Sequence, residues 1–202
     1  MTKIKLCGLS RACDIEEANK LNPEYIGFVF APKSRRYVLP EKAAELKRLL
    51  YPRIKAVGVF VNESLQNVAE LLKNGVIDMA QLHGNEDDEY IKELRTLTKK
   101  PIIKAFRVSC KQDVVKANAS AADYVLFDSG AGTGTVFDWN LISKIDRPYF
   151  LAGGLDTENV KEAIKNLKPF AVDVSSGIET DGRKDPTKMA AFVAAVRKEG
   201  TL

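Results

Sequence analysis

A closed parallel barrel of eight strands, the (β/α)8 TIM-barrel class of α/β proteins, is what this 202-residue chain predicts. Three observations predict it. Eight short β-branched or apolar runs start 21 to 30 residues apart, a helix-like mixture follows each, and the last two runs end in glycine-containing segments. An open doubly wound sheet would more typically carry five or six strands, and its GxGxxG turn is missing after the first run. With 202 residues against ~250 typical of the class, the loops must be brief, and one domain spans residues 1–202.

In order, the runs are Ile4–Cys7, Tyr25–Phe30, Lys55–Val61, Met79–Leu82, Ile102–Phe106, Tyr124–Phe127, Tyr149–Ala152 and Ala171–Val174. Between them, apolar residues return at helical spacing: Val160, Ala163, Ile164 and Leu167 in one segment, Met189, Phe192, Val193 and Val196 in the last. Each such stripe gives a helix one face to bury. Helix starts are signalled by Asp138 before Trp139, Asp156 before Thr157-Glu158, and Asp185 before Pro186.

Net charge is +4 with a pI of 8.8, and the basic residues are spread along the chain rather than gathered in a run. That argues against a nucleic-acid partner and suits an anionic small molecule, although an ordinary solvated surface has the same balance. Three scattered cysteines make neither a disulfide framework nor a zinc site, so a reduced, cytoplasmic setting without metal is expected. Met1 to Ser10 enters a strand without a long apolar stretch, so neither a signal peptide nor a membrane span is expected.

Side chains alternate along a strand. If Ile4 and Leu6 face the helices, Lys5 and Cys7 face the barrel interior, as do Gln81 and His83, Asp128, Asp173 and Ser175. Barrel interiors are normally filled by branched apolar groups, and a buried charge must be paired. Lys5 with Asp173 is therefore either a structural ion pair or part of a site. Cys7, Asp128 and Ser175 fall at C-terminal strand ends, where barrel enzymes carry their chemistry.

The seventh run ends in Ala152-Gly153-Gly154-Leu155 and the eighth in Asp173-Val174-Ser175-Ser176-Gly177. In barrels, backbone N–H groups after these two strands form a recurrent phosphate site, and glycine lets an anion reach the backbone. Gly153, Gly154, Ser175, Ser176 and Gly177 are accordingly the expected phosphate grip.

The chain resembles the phosphoribosylanthranilate isomerase family end to end. The residues that carry the likeness include Lys5-Leu6-Cys7-Gly8, Pro32-Lys33-Ser34-Arg35-Arg36-Tyr37, Gly58-Val59-Phe60-Val61-Asn62, Gln81-Leu82-His83-Gly84 and Pro169 through Glu179. The resemblance implies an Amadori rearrangement of N-(5-phosphoribosyl)anthranilate in tryptophan biosynthesis, with a small phosphorylated substrate and no cofactor. It implies Cys7 as general base, Asp128 as general acid and Arg36 on the anthranilate carboxylate. Opening the ribose ring asks Asp128 to hold a proton, and a free thiol is only a few per cent ionised at neutral pH, so Cys7 needs a cationic neighbour such as Lys5 or the iminium.

His83, the single histidine, is expected to line the substrate or hydrogen-bond inside the barrel. Asp173 is grouped with it and Arg36 as substrate-binding, while Glu179 matches the family's acid after Ser-Ser-Gly, on a substrate hydroxyl or as a surface cap. Cys13 and Cys110 are expected to be incidental, and Gly130 to Thr135 a lid rather than a nucleotide loop, lacking the P-loop lysine. A monomer or homodimer fits equally. The competing functions are another phosphate-binding barrel enzyme of tryptophan or histidine biosynthesis and a non-catalytic phosphometabolite-binding module.

Overall fold

The structure, a computed structural model, describes residues 1–128, 141–142 and 145–199. Eight parallel strands close in sequence order: β1 (Lys3–Cys7), β2 (Tyr25–Val29), β3 (Lys55–Phe60), β4 (Met79–Leu82), β5 (Ile102–Arg107), β6 (Tyr124–Asp128), β7 (Tyr149–Ala152) and β8 (Ala171–Val174). β1 pairs with both β2 and β8, which seals the ring. Each expected run matches its strand to within one residue at either end. Asp128, expected just past the sixth strand, is its last residue.

Among the described residues, seven helices alternate with the strands: α1 (Ala12–Leu21), α2 (Pro40–Leu49), α3 (Leu65–Lys73), α4 (Asp88–Leu97), α5 (Lys111–Ala119), α6 (Val160–Leu167) and α7 (Pro186–Glu199). A 3-10 turn at Ser176–Ile178 and a two-residue antiparallel pair, β9 (Glu179–Thr180) with β10 (Arg183–Lys184), come between β8 and α7. Asp185 starts α7 as expected, its Oδ1 accepting from the N–H groups of Thr187 and Lys188 at 2.8 and 3.2 Å. Asp156 does not start α6. Its Oδ1 accepts from Glu158 and Asn159 N–H at 2.8 and 3.0 Å in a turn, and the helix begins four residues later at Val160. Short acidic side chains close turns as readily as they cap helices, so the signal marked the bend and not the helix. The start signal at Asp138 lies outside the described residues.

Alternation divides the core as expected. Ile4, Leu6, Ile26, Phe28, Ala80, Leu82 and their kind pack outward against the helices, while Tyr25, Val57, Met79, Ile103, Leu126 and Phe150 fill the interior. Tyr25, Tyr124, Phe150 and Phe170 meet edge-on or stacked, with ring centroids 5.0 to 5.7 Å apart, and plug the N-terminal end. The polar side chains that the interior admits gather toward the other end. No described helix is long and apolar enough to cross a membrane.

Candidate active site

Cys7 ends β1, with its side chain inside the barrel beside Val29 and Val59. Gly27 stands beside it in register on β2, and a Cβ there would lie 2.6 Å from Cys7 Sγ. Glycine at that position is therefore what gives the thiol its room. The next residue, Gly8, turns the chain at φ +80, where a Cβ would strike Arg36 Cδ at 2.4 Å. Gly8 thus clears a path for Arg36 across the mouth.

Arg36 uses that path to grip Glu179, with Nε 2.6 Å from Oε1 and Nη2 2.8 Å from Oε2. Arg35 Nη2 reaches Oε2 at 2.8 Å, and Lys184 Nζ reaches Oε1 at 2.6 Å. Burial pushes the Glu179 carboxyl up, but the hydrogen bonds from Arg36 and Lys184 outweigh it and hold its pKa at about 2. Lys184 is itself buried, and Nζ also donates to Ser175 O at 2.8 Å. Three cations on one carboxylate leave a net positive cleft of about 620 Å³, lined by Gly8, Arg11, Arg35, Arg36, Glu179 and Lys184 among others.

On the opposite arc, β4 and β6 bring His83 to Asp128, Nε2 to Oδ2, at 3.1 Å. Gln81 Nε2 lies 2.9 Å from His83 Nδ1. His83 thus bridges the Gln81 amide and the Asp128 carboxyl through its two ring nitrogens, with donor and acceptor roles set by the tautomer. His83 and Asp128 border a second cleft of about 400 Å³, with Val61, Asn85, Phe106 and Arg107.

Between the two arcs lie the glycine ends. Gly153 and Gly154 both have positive φ, +87 and +63, and Asn159 Nδ2 donates to Gly154 O at 2.8 Å. Open space surrounds the Gly154 Cβ position, whereas a Cβ on Gly177 would meet Leu155 O at 2.1 Å. The β8 end is packed directly onto the backbone after β7, with Ser176 and Gly177 starting a 3-10 turn. Ser175 Oγ donates to Cys7 O at 3.1 Å, tying β8 to the end of β1.

The structure thus brings Cys7, Arg36, Glu179 and Ser175 to one arc of the mouth, His83 and Asp128 to another, and Gly153, Gly154, Ser176 and Gly177 between them. Asp173 lies one layer down, in register with Lys5, and its Oδ2 takes the Lys5 ammonium at 2.8 Å. Cys13 and Cys110 are exposed. The Gly130 to Thr135 segment, expected as a lid, lies outside the described residues. Sequence reasoning gave no role to Lys184, Gly8, Gly27 or Arg107. Lys184 sits five residues from Glu179 in a Gly182-Arg183-Lys184-Asp185 stretch with no periodic pattern, and only the run of charges beside a glycine could have marked it.

A family model, N-(5'phosphoribosyl)anthranilate (PRA) isomerase, matches residues 4–195. The chain is 43% identical over 202 residues to N-(5'-phosphoribosyl)anthranilate isomerase of Endomicrobium trichonymphae, covering 98% of this chain and 99% of that one. It is 46% identical over 204 residues to the enzyme of that name from Caldanaerobacter subterraneus, covering 98% of each. Among solved structures it superposes on phosphoribosyl anthranilate isomerase of Thermotoga maritima with TM-score 0.90 at 35% identity, covering 98% of this chain and 100% of that one. A phosphoribosyl anthranilate isomerase in complex with reduced 1-(o-carboxyphenylamino)-1-deoxyribulose 5-phosphate matches at TM-score 0.88 and 35% identity, with the same coverage.

Proposed function

The chain belongs to the N-(5'-phosphoribosyl)anthranilate isomerase family, and from that premise we propose how its own residues divide the reaction. The enzyme converts N-(5'-phosphoribosyl)anthranilate to 1-(2-carboxyphenylamino)-1-deoxyribulose 5-phosphate in tryptophan biosynthesis. Asp128 gives a proton to the ribose ring oxygen as the C1–O bond breaks and the anilino nitrogen forms the iminium. Cys7 then takes the C2 proton, and the resulting enolamine becomes the ketone by gaining a proton at C1 as its C2 hydroxyl loses one. Arg36 meets the anthranilate carboxylate, for which the positive cleft around it is suited. Backbone N–H groups of Gly153, Gly154, Ser176 and Gly177, with Ser175 beside them, take the phosphate.

One observation carries this reading. Cys7 and Asp128 end strands that lie three apart around the closed ring, and both open on the mouth that the glycine ends share. Glu179 holds Arg36 in place, and His83 fixes the Asp128 carboxyl. We also read residues 1–202 as one catalytic domain, acting in a reduced cytoplasm as a monomer or homodimer without nucleic acid, metal or organic cofactor. Three free cysteines support the compartment.

Purified protein given N-(5'-phosphoribosyl)anthranilate should consume its fluorescence and yield the ketose product. Cys7→Ser and Asp128→Asn should each fold normally and lose roughly 10²- to 10⁴-fold in kcat, the usual worth of one acid or base. Well-folded protein without turnover would overturn the assignment, and a near-normal rate in either variant would remove that residue from its role.

A further inference from the structure

A lysine that is completely buried inside a barrel needs a reason. Lys5 lies in register with Asp173 and donates to it at 2.8 Å, while Asp173 Oδ1 is buried with no hydrogen-bond partner among the described residues, so Lys5 alone is seen to answer that carboxylate. Replacing such a pair by apolar groups of similar volume is often neutral or stabilising, so stability does not account for it. Its place does. Alternation puts Lys5 one step beneath Cys7, and its long chain carries Nζ up to the room that Gly27 leaves open: the empty Cβ position there is 3.2 Å from Lys5 Nζ and 2.6 Å from Cys7 Sγ.

We propose that Lys5 is the counter-ion of the Cys7 thiolate, a positioning residue whose ammonium is shared between Asp173 and the sulfur when Cys7 has lost its proton to solvent. The proposal rests on Cys7 being the base. Among the described residues, four charged groups act on the thiol: Lys5 from β1, Asp173 from β8, Lys184 from β10 and Arg36 from the loop after β2. β2 and β3 contribute only Gly27, Val29 and Val59. Burial pushes the Cys7 thiol up, Lys5 and then Lys184 pull it down, and Asp173 pushes it up; the net direction is up. Burial pulls Lys5 down, but Asp173 first and Cys7 after it carry it above its ordinary value. With no substrate, then, Cys7 rests as a thiol while Lys5 keeps its charge for Asp173. A cationic iminium above the sulfur tips the balance, and Lys5 is already charged beneath it.

The test is the pH titration of the thiolate's ultraviolet absorbance in the substrate-free protein, taken as the difference from Cys7→Ser so that other cysteines and tyrosines cancel. Lys5→Met should raise the midpoint by about one pH unit or more, a tenfold drop in thiolate at fixed pH, and Asp173→Asn should lower it. In turnover, Lys5→Met should lose kcat near neutrality and regain it as pH rises, with KM little changed. An unmoved midpoint in Lys5→Met, or shifts of the same sign in the two variants, overturns the proposal. If Lys5→Met does not fold because Asp173 is left alone, Lys5→Met/Asp173→Asn is compared with Asp173→Asn: a higher midpoint in the double variant supports the proposal and an equal one overturns it. Because no substrate is present, the titration stands or falls apart from the assigned activity.

Discussion

Arg36 spends Nε and Nη2 on Glu179, which leaves Nη1 as the edge it offers to a ligand. A guanidinium locked in this way loses little side-chain freedom when a carboxylate arrives, so it binds more tightly than a free one. Its neighbour Arg35 is 60% exposed and holds Glu179 through one bond, a contact worth little in water. Arg36→Ala should therefore raise KM by roughly 10- to 100-fold, the worth of one charged hydrogen bond, with kcat changed far less. Arg35→Ala should stay within about threefold of the parent on the same arithmetic for an exposed pair. Steady-state kinetics on the two variants checks both, and an unchanged KM in Arg36→Ala removes it from the carboxylate.

Loops after strands are held here by two different kinds of glycine. Gly154 needs its positive φ and has open space around it, so Gly154→Ala should cost about 1 kcal/mol in backbone strain and leave the fold otherwise intact. Gly177 has no such φ, but a side chain there would run into Leu155 O at 2.1 Å, so Gly177→Ala must push apart the two strand ends proposed to share the phosphate. It should cost about 1–3 kcal/mol and raise KM the more of the two, as thermal unfolding and kinetics on both variants would show. At this scale the sequence was informative wherever a regular period was at work. Alternation placed Cys7, Lys5 and Asp173 inside, and the glycine pairs marked the chain turns after β7 and β8. It failed where no period operates: Asp156 closes a turn rather than capping α6, and Lys184 reaches Glu179 from a two-residue strand pair that no spacing rule reveals. Gly8 and Gly27 read as ordinary glycines until Arg36 and Cys7 Sγ are seen in the space they leave.

The whole molecule separates its stability from its chemistry along the barrel axis. Phe150 is fully buried in the aromatic plug at the N-terminal end, away from the mouth. Phe150→Ala should destabilise by about 3–5 kcal/mol, which at this chain length lowers Tm by roughly 10 °C, and leave kcat at moderate temperature within about twofold. Calorimetry beside a turnover assay tests it; a large kcat loss in folded protein would deny the separation. Closure of the ring has another consequence, in time rather than space. Lys5 meets Asp173, and the carbonyl of Cys7 meets Ser175, each across 168 residues of chain. On the ribosome the first strand emerges long before its last partner exists. Until β8 follows, β1 keeps an unpaired edge and an unanswered lysine, so every nascent chain must hold its first strand unfinished until the eighth has been made.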